Sequence, residues 1–282
     1  AEERTKGRVK VEVYPNSQLY KDGEEMEALQ LGSVQMLAPS VAKFGPLCVR
    51  EFDVFDMNYL FGTYADMHKV TEGATGKFLF QKLESKGIIG LAFWDNGFKD
   101  MSANKALKLP SDAKGLKMRI QSSNVLEAEM RALGAIPQKM AFSEVYQGLQ
   151  TGVVDGTENP PSNFYTQKMY EVQKYMTMTE HGVIEYAVIV NKKFWDGLPA
   201  DVRGALESSM KDATKFANDI AKKENEDALE AVRKSGKTEI IVLRPEEKAA
   251  WRKALVVVHH EMESRIGKDT IETVYKDTGF KP

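Results

Sequence analysis

The chain has 282 residues, 42% of them hydrophobic and 28% charged, which is typical of a globular protein large enough for two modest domains. Lys and Arg number 39 against 41 Asp and Glu, and the resulting formal charge of -2 excludes the broad basic surface of nucleic-acid-binding proteins. The longest apolar runs, such as 186–190 and 255–258, are far too short to span a bilayer, so we expect no membrane-spanning helix.

The first third of the chain alternates strand and helix patterns. Residues 1–7 are typical of the last turn of a helix, and valines at every second position from Val9 to Val13 predict a strand that Pro15 ends. The following predicted elements are a helix over about 21–32, a short buried strand over 35–38, a helix over about 65–86, a strand over 88–94 and a loop over 96–99. This order favours a parallel sheet with right-handed crossovers.

The alternation restarts after residue 116 and predicts a second α/β lobe. Its predicted strands cover 117–121, 136–139 and 153–157, and its predicted helices cover 124–133 and 143–150. A strand over 187–191 then returns to the first lobe, and a strand over 238–243 and a helix over about 245–266 come near the C terminus. The charged helix predicted over 200–235 would extend roughly 50 Å, so we expect it to support both lobes.

Arg119 and Asn159 fall near the ends of two predicted strands, where open α/β sheets commonly bind ligands. A guanidinium presents paired N–H donors that match both oxygens of a carboxylate. A buried arginine requires an anion, and the residues leave open whether this is a bound organic acid or a structural partner, Glu127, Glu129 or Glu158. Asn159 precedes two prolines and fits either a ligand contact or a turn.

Sequence patterns for catalysis and metal binding are missing. HExxH, CxxC, GxSxG and EF-hand motifs do not occur, and the adjacent His259 and His260 would point about 100° apart on a helix. We therefore predict no metal, no cofactor and no catalytic residues. The alternative is an α/β enzyme acting on a small carboxylic acid, with Arg119 as the substrate clamp and His181 or Glu158 as the base. Cys48 is alone, which excludes an internal disulfide, and we expect it to be a small buried apolar residue.

Several separate strings stand in order along most of the chain: VEVYPNSQLYKD, LQLGSVQMLAPSVAKFG, WDNGFK, GLKMRIQSS, FSEVYQGLQTGVVDGTENPPSNFY and VIVNKKFWDGLP. Together they resemble the substrate-binding proteins of tripartite ATP-independent periplasmic (TRAP) transporters, in particular the dicarboxylate-binding, DctP-like group. The resemblance implies a two-lobed periplasmic binding protein fold, with two α/β domains joined by hinge strands and a long shared helix. It assigns residues 1–96 and 185–224 to the first lobe and residues 97–184 and 225–282 to the second.

The resemblance also implies a function. We expect a monomeric extracytoplasmic receptor that closes around a small organic acid, a C4-dicarboxylate or a related hydroxy or keto acid. It would deliver this ligand to the membrane permease subunits of a TRAP transporter and would bind no nucleic acid. The expected location is the periplasm, although the sequence shows no signal peptide, and we expect a further strand and most of a helix upstream of residue 1.

The resemblance transfers site roles to individual positions. Arg119, in KMRI, becomes the carboxylate-binding arginine, Asn159, in ENP, becomes its partner, and Phe142 becomes the aromatic of the FSEVYQ string. Lys99 stands where the family often has arginine, and because lysine lacks the planar fork its contact with a second carboxylate is weaker. The other candidate ligand contacts are Lys21, Ser40, Trp94, Asn163 and Tyr165.

Overall fold

A computed structural model describes residues 1–47 and 49–282, so the prediction for Cys48 lies outside the described residues. The described strands form one mixed sheet with the order β1-β6-β2-β5-β3-β4, and β7 pairs with β6. The strands are β1 (Met36–Leu37), β2 (Ile88–Ala103), β3 (Lys117–Ile120), β4 (Ile136–Lys139), β5 (Gly156–Asn159), β6 (Tyr175–Asn191) and β7 (Glu239–Val242).

Eleven α-helices accompany the sheet in the described residues. They are α1 (Glu25–Leu31), α2 (Tyr64–Thr71), α3 (Ala74–Glu84), α4 (Asn124–Ala132), α5 (Val145–Thr151), α6 (Pro161–Thr166), α7 (Lys192–Asp196), α8 (Ala200–Ser235), α9 (Pro245–Leu255), α10 (Val257–Ile266) and α11 (Lys268–Thr278). Side chains of Thr63, Ser123 and Asn191 accept backbone N–H groups at the starts of α2, α4 and α7. No helix in the described ranges has both the length and the apolar composition needed to cross a membrane.

Two long antiparallel strands, β2 and β6, connect the two halves of the molecule. Their pairing extends from Ile88 opposite Asn191 to Ala103 opposite Tyr175, with three register shifts on the way. At one end β6 also pairs with β1, and at the other end β2 and β6 pair with β5 and β7. The strands therefore have the position expected of hinge strands in a two-lobed α/β fold.

Separate apolar clusters lie at the two ends of these strands. One cluster includes Leu29, Phe52 and Leu79, and the clusters at the other end include Met118 and Phe164. Residues of α10 and α11, which the predicted boundaries assign to the second lobe, pack in the first cluster. The lobe boundaries themselves remain a prediction.

The long helix α8 contacts both ends of the molecule, as expected for a shared helix. Val202 and Leu206 pack with Val190 near its N terminus, whereas Val232 packs with Val145 near its C terminus. Between these ends, side chains of α8 bond to β2. The helix therefore links both groups of elements to the middle of the hinge strands.

Three predictions about the strands were wrong. Residues 9–13 form no strand, since no pairing is found for them in the described part of the chain, and Val11 and Val13 are 53% and 78% exposed. The predicted loop 96–99 belongs to β2. Asn and Gly have a low propensity for strands, but hydrogen bonds from β6 and α8 hold these residues in the sheet. The sheet is mixed rather than parallel, because β2 and β6 run antiparallel.

Candidate functional site

Arg119 lies on β3 with a side chain that is only 2% exposed. Its Nε and Nη2 atoms donate to the Met140 carbonyl oxygen at 3.0 and 2.8 Å, and the ring of Phe142 lies 5.5 Å from Cζ. Burial lowers the pKa of Arg119 to about 10, although Asp22 and Glu158 act in the opposite direction, so the side chain is a cation at neutral pH. The guanidinium is thus held in place, and among the described residues its other N–H donors have no hydrogen-bond partner, so they could bind an anion.

The structural alternative for Arg119, a pair with a nearby glutamate, is not what the structure shows. Glu127 pairs with Arg131 and Lys139, and Glu158 pairs with Lys99. Glu129 lies beside His181. Within the described residues, the carboxylate that comes within ion-pair distance of Arg119 is that of Asp22, with Oδ2 at 3.9 Å from Nη2.

Asp22 connects the segment before α1 to the segment before α5. Its Oδ2 accepts the backbone N–H of Phe142 at 2.9 Å, and its Oδ1 accepts Lys43 Nζ at 2.7 Å. Burial raises the pKa of Asp22, but Lys43, Phe142 N–H and Arg119 together lower it. Nearby, Lys21 Nζ donates to Glu144 at 2.9 Å. Neither Asp22 nor Lys43 was among the residues predicted from the sequence, although Asp22 belongs to the YKD string and Lys43 to the string APSVAKFG.

Asn159 ends β5 and is 2% exposed. Its Nδ2 donates to Thr157 Oγ1 at 3.1 Å, and its Oδ1 has no hydrogen-bond partner among the residues that the structure describes. Thr157 is opposite Arg119 in the β3–β5 register, and residues two apart on a strand share a face. The structure therefore places Asn159 on the same face of the sheet as Arg119 and Phe142.

Lys99 does not join this group, and its contact with a second carboxylate stays a prediction. Its side chain is 1% exposed, and Nζ lies 2.8 Å from Glu158 Oε2. Glu158 precedes Asn159 on β5, and adjacent residues of a strand point to opposite faces. Lys99 therefore neutralises a buried glutamate across the sheet from Asn159.

Glu158 continues into a buried cluster with His181 and Glu129. His181 Nε2 lies 2.7 Å from Glu158 Oε2 and 3.1 Å from Glu129 Oε1. Burial alone would lower the pKa of His181, but Glu129 and Glu158 raise it to about 9. Burial alone would raise the pKa of Glu158, but Lys99 and His181 lower it to about 2. Both groups are enclosed and engaged in ion pairs, which is unsuited to the general base of the enzyme alternative.

The same cluster has the spacing of a metal site. Ligand atoms of Glu129, Glu158 and His181 lie within 4.8 Å of one another, and no other three His, Cys, Asp or Glu side chains among the described residues are this close. However, Lys99 and the protonated His181 already supply positive charge to Glu158. The donor set is therefore neutralised by the chain's own cations.

The remaining predicted contacts lie in different surroundings. Ser40 is buried beside Tyr186, with which it forms a β-bridge. The Trp94 indole N–H donates to Thr214 of α8 at 2.9 Å, and Asn163 Oδ1 accepts Asn96 at 2.9 Å. Tyr165 is 39% exposed and stacks on Tyr170 with ring centroids 5.4 Å apart. The described contacts thus group Arg119, Asn159 and Phe142, whereas Trp94, Asn163 and Tyr165 contact other parts of the chain.

Comparison with known proteins identifies close relatives. Residues 1–265 match the family model DctP, described as bacterial extracellular solute-binding protein, family 7. The chain is 67% identical over 274 residues to the C4-dicarboxylate-binding periplasmic protein DctP of Rhodobacter capsulatus, and the aligned residues make up 97% of this chain and 82% of that protein. It is 41% identical over 271 residues to the protein of the same name from Shewanella loihica, and the aligned residues make up 96% of this chain and 80% of that protein.

Solved structures agree with the family match. A TRAP periplasmic solute-binding protein from Sulfurospirillum deleyianum with bound succinate has a TM-score of 0.94 and 45% identity, covering 97% of this chain and 89% of that one. One from Pseudomonas aeruginosa with bound L-malate has a TM-score of 0.90 and 41% identity, covering 92% and 90%. These similarities confirm the predicted two-lobed periplasmic binding protein fold.

Proposed function

This chain belongs to the bacterial extracellular solute-binding proteins of family 7, and we propose that it binds a C4-dicarboxylate such as succinate or malate. The observation that carries this proposal is the buried guanidinium of Arg119, held by Met140 O and Phe142 with no glutamate paired to it among the described residues. Relatives named for C4-dicarboxylate binding and related structures with bound succinate and malate support the choice of ligand.

One ligand carboxylate would be bound by Arg119 and Asn159. The guanidinium supplies paired donors, and the Asn159 amide lies on the same face of the sheet. In a cleft from which water is excluded, such a charge-assisted bond is stronger than on an exposed surface. Phe142 would pack against the short carbon chain, as the position of its ring beside Arg119 permits.

The second carboxylate would be bound from the opposite side of the cleft. Ser40 and Lys43 lie just before and within a short helix at Val41–Lys43, and Lys43 reaches Asp22 beside Arg119. Lys21 is a further candidate there, although it is exposed and paired with Glu144. A ligand that contacts both sides would favour the closed arrangement of the lobes, because its contacts with both sides are made only after closure.

In this proposal the protein acts in the periplasm, passes its ligand to TRAP permease subunits and carries out no chemistry on it. The two candidate bases, His181 and Glu158, are fully buried in ion pairs. Their burial supports a receptor over the enzyme alternative.

The test is calorimetry with succinate on Arg119→Ala, Arg119→Lys and Arg131→Lys. We expect Arg119→Ala to weaken binding at least about 30-fold, because removing one member of a buried charge pair costs about 2 kcal/mol or more. Arg119→Lys should also bind more weakly, since lysine lacks the paired donors. Arg131, on the exposed surface of α4, is the matched control and should leave affinity unchanged.

Unchanged affinity in folded Arg119→Ala would contradict the proposed site. Circular dichroism establishes that each variant is folded. Nuclear magnetic resonance of succinate and malate incubated with the protein tests the enzyme alternative, and conversion of either acid would overturn the receptor function.

A further inference from the structure

Two buried carboxyl groups face each other in the middle of the hinge strands. Asp95 on β2 and Glu185 on β6 are direct partners in the antiparallel register, next to the shift between Asp95 and Gly97. The side chain of Asp95 is 1% exposed, and Glu185 is 0% exposed. Neither residue belongs to the proposed organic-acid site, and a buried acid pair on adjacent strands requires its own explanation.

The hydrogen bonds of this pair are incomplete when both groups are ionised. Asp95 Oδ2 lies 2.7 Å from His68 Nε2, but Asp95 Oδ1 and both oxygens of Glu185 have no donor within residues 1–47 and 49–282. A carboxylate only accepts hydrogen bonds, whereas a protonated carboxyl can also donate one. Since Asp95 and Glu185 are direct partners on antiparallel strands, their side chains leave the sheet on the same face, and a single proton would convert their repulsion into a hydrogen bond.

We propose that Asp95 and Glu185 hold one proton between them, so that the hinge strands contain a proton-binding site separate from the organic-acid cleft. The proton resides on Glu185, because His68 favours the ionised form of Asp95. This arrangement resembles carboxyl dyads in which two adjacent acids share one proton because like charges at short distance cannot both ionise.

Groups on every neighbouring element affect this equilibrium. His68, Glu72 and Tyr64 lie near the pair from α2 and its C-terminal end, and Tyr186 adjoins it on β6. Glu226 of α8 is 64% exposed and acts on Tyr64, not on the pair itself. Burial, followed by Asp95, raises the pKa of Glu185 well above its ordinary value, and burial also raises the pKa of Asp95 against the effect of His68. His68 is 33% exposed and offers a route for proton exchange with solvent.

The position of the pair connects its protonation to the hinge. The backbone N–H of Asp95 donates to Asn218 Oδ1 at 3.0 Å, and Asn225 of α8 donates to the carbonyl of Asn96 at 2.7 Å. Loss of the proton places two negative charges between strands that α8 holds together. Deprotonation therefore weakens the junction of β2, β6 and α8.

The sign of the pH effect follows from the raised pKa of Glu185. Between the unfolded pKa of glutamic acid, about 4.3, and the higher folded value, the native state binds a proton that the unfolded state has released. Stability from this site is present at low pH and is lost as the pH rises towards the folded pKa. One such proton raises the unfolding equilibrium constant tenfold per pH unit in that window.

The test compares the wild type with Glu185→Gln and with the control Glu226→Gln, which removes a nearby exposed carboxylate. The glutamine amide can donate to Asp95 as the protonated acid does, so the variant keeps the hydrogen bond without a titratable proton. We expect the pH dependence of urea unfolding, measured upwards from about pH 5, to decrease by as much as one proton in Glu185→Gln and to stay unchanged in Glu226→Gln.

Infrared difference spectroscopy gives a second measurement on the folded protein. The wild type minus Glu185→Gln spectrum at pH 7 should contain the carbonyl band of a protonated carboxyl, and the corresponding Glu226→Gln spectrum should not. A missing band overturns the proposal. If Glu185→Gln does not fold, Asp95→Asn takes its place, and a pH slope equal to that of the wild type overturns it as well. Succinate is absent from both measurements, so the outcome is independent of the proposed receptor function.

Discussion

Lys21 and Lys99 each form an ion pair with a glutamate, but Lys21 is exposed and Lys99 is buried. Lys21 pairs with Glu144 on the surface, whereas Lys99 pairs with Glu158 at 1% and 2% exposure. Water screens the first pair, but removal of Lys99 would leave Glu158 with less compensation in a buried site. The same residue type therefore has very different importance at the two positions.

We expect Lys99→Met to lower the free energy of unfolding by about 3–5 kcal/mol, because one partner of a buried ion pair is lost. Lys21→Met is the matched control and should change the stability little. Urea unfolding at neutral pH measures both. Equal stability of the two variants would contradict the assignment of Lys99 to a buried structural network.

Arg119 and Asn159 could be proposed as site residues from the sequence, because they fall near the ends of predicted strands and within strings that resemble the family. The ion-pair partner of Lys99 could not be predicted from the sequence. Lys99 and Glu158 are 59 positions apart, as their residue numbers show, and only the pairing of β2 with β5 brings them together. Sequence position therefore indicated a ligand contact where the sheet creates an ion pair.

Among the secondary structure elements, those with a clear local period were predicted most accurately. The helix predicted over 200–235 is α8, Ala200–Ser235, and the strand predicted over 136–139 is β4. The predicted helix over 65–86 is divided, with α2 ending at Thr71 and α3 beginning at Ala74. Gly73 lies at this division, where a Cβ would come within 2.3 Å of Lys69 O.

Close contact between strands explains one glycine of β5. A Cβ on Gly156 would lie 2.3 Å from Ser102 O and 2.8 Å from Met118 Sδ, so alanine there would force the strands apart. Gly204, by contrast, lies on the exposed surface of α8, where an added Cβ would meet no neighbouring atom within 4 Å.

We expect Gly156→Ala to lower the free energy of unfolding by about 1–3 kcal/mol through overpacking. Gly204→Ala should raise it by about 0.5–1 kcal/mol, since alanine loses less conformational entropy in a helix. Chemical denaturation of both variants at one pH is sufficient. A stabilising Gly156→Ala would show that β5 is not confined by β2 and β3 as described.

The whole molecule is organised around β2 and β6, which reach from one apolar cluster to the others. Asp22 accepts the Phe142 N–H and Lys21 contacts Glu144, so the segment before α1 touches the segment before α5. These contacts join the two sides of the proposed cleft, and they would be broken if the lobes opened. A closed arrangement of the lobes would therefore have contacts of its own that do not require a ligand.

We expect succinate to lower the radius of gyration of the wild type in solution scattering, because ligand binding favours the closed form. Without ligand, Asp22→Ala should have a larger radius than the wild type, since the contact with Phe142 is lost. Glu27→Ala, an exposed position on α1, is the control and should behave as the wild type does. An unchanged radius at saturating succinate would contradict closure.

The order of strings, the strand–helix alternation and the charge balance were sufficient to indicate a two-lobed α/β receptor for an organic acid, because these features are local in the chain. The antiparallel pairing of β2 with β6 could not be predicted from these local features, since it depends on hydrogen bonds between segments that are distant in the chain. The same pairing places Asp95 opposite Glu185 and, with β5, Lys99 beside Glu158. Ionisable groups acquire their roles from neighbours and from the loss of water, and only the tertiary structure determines both.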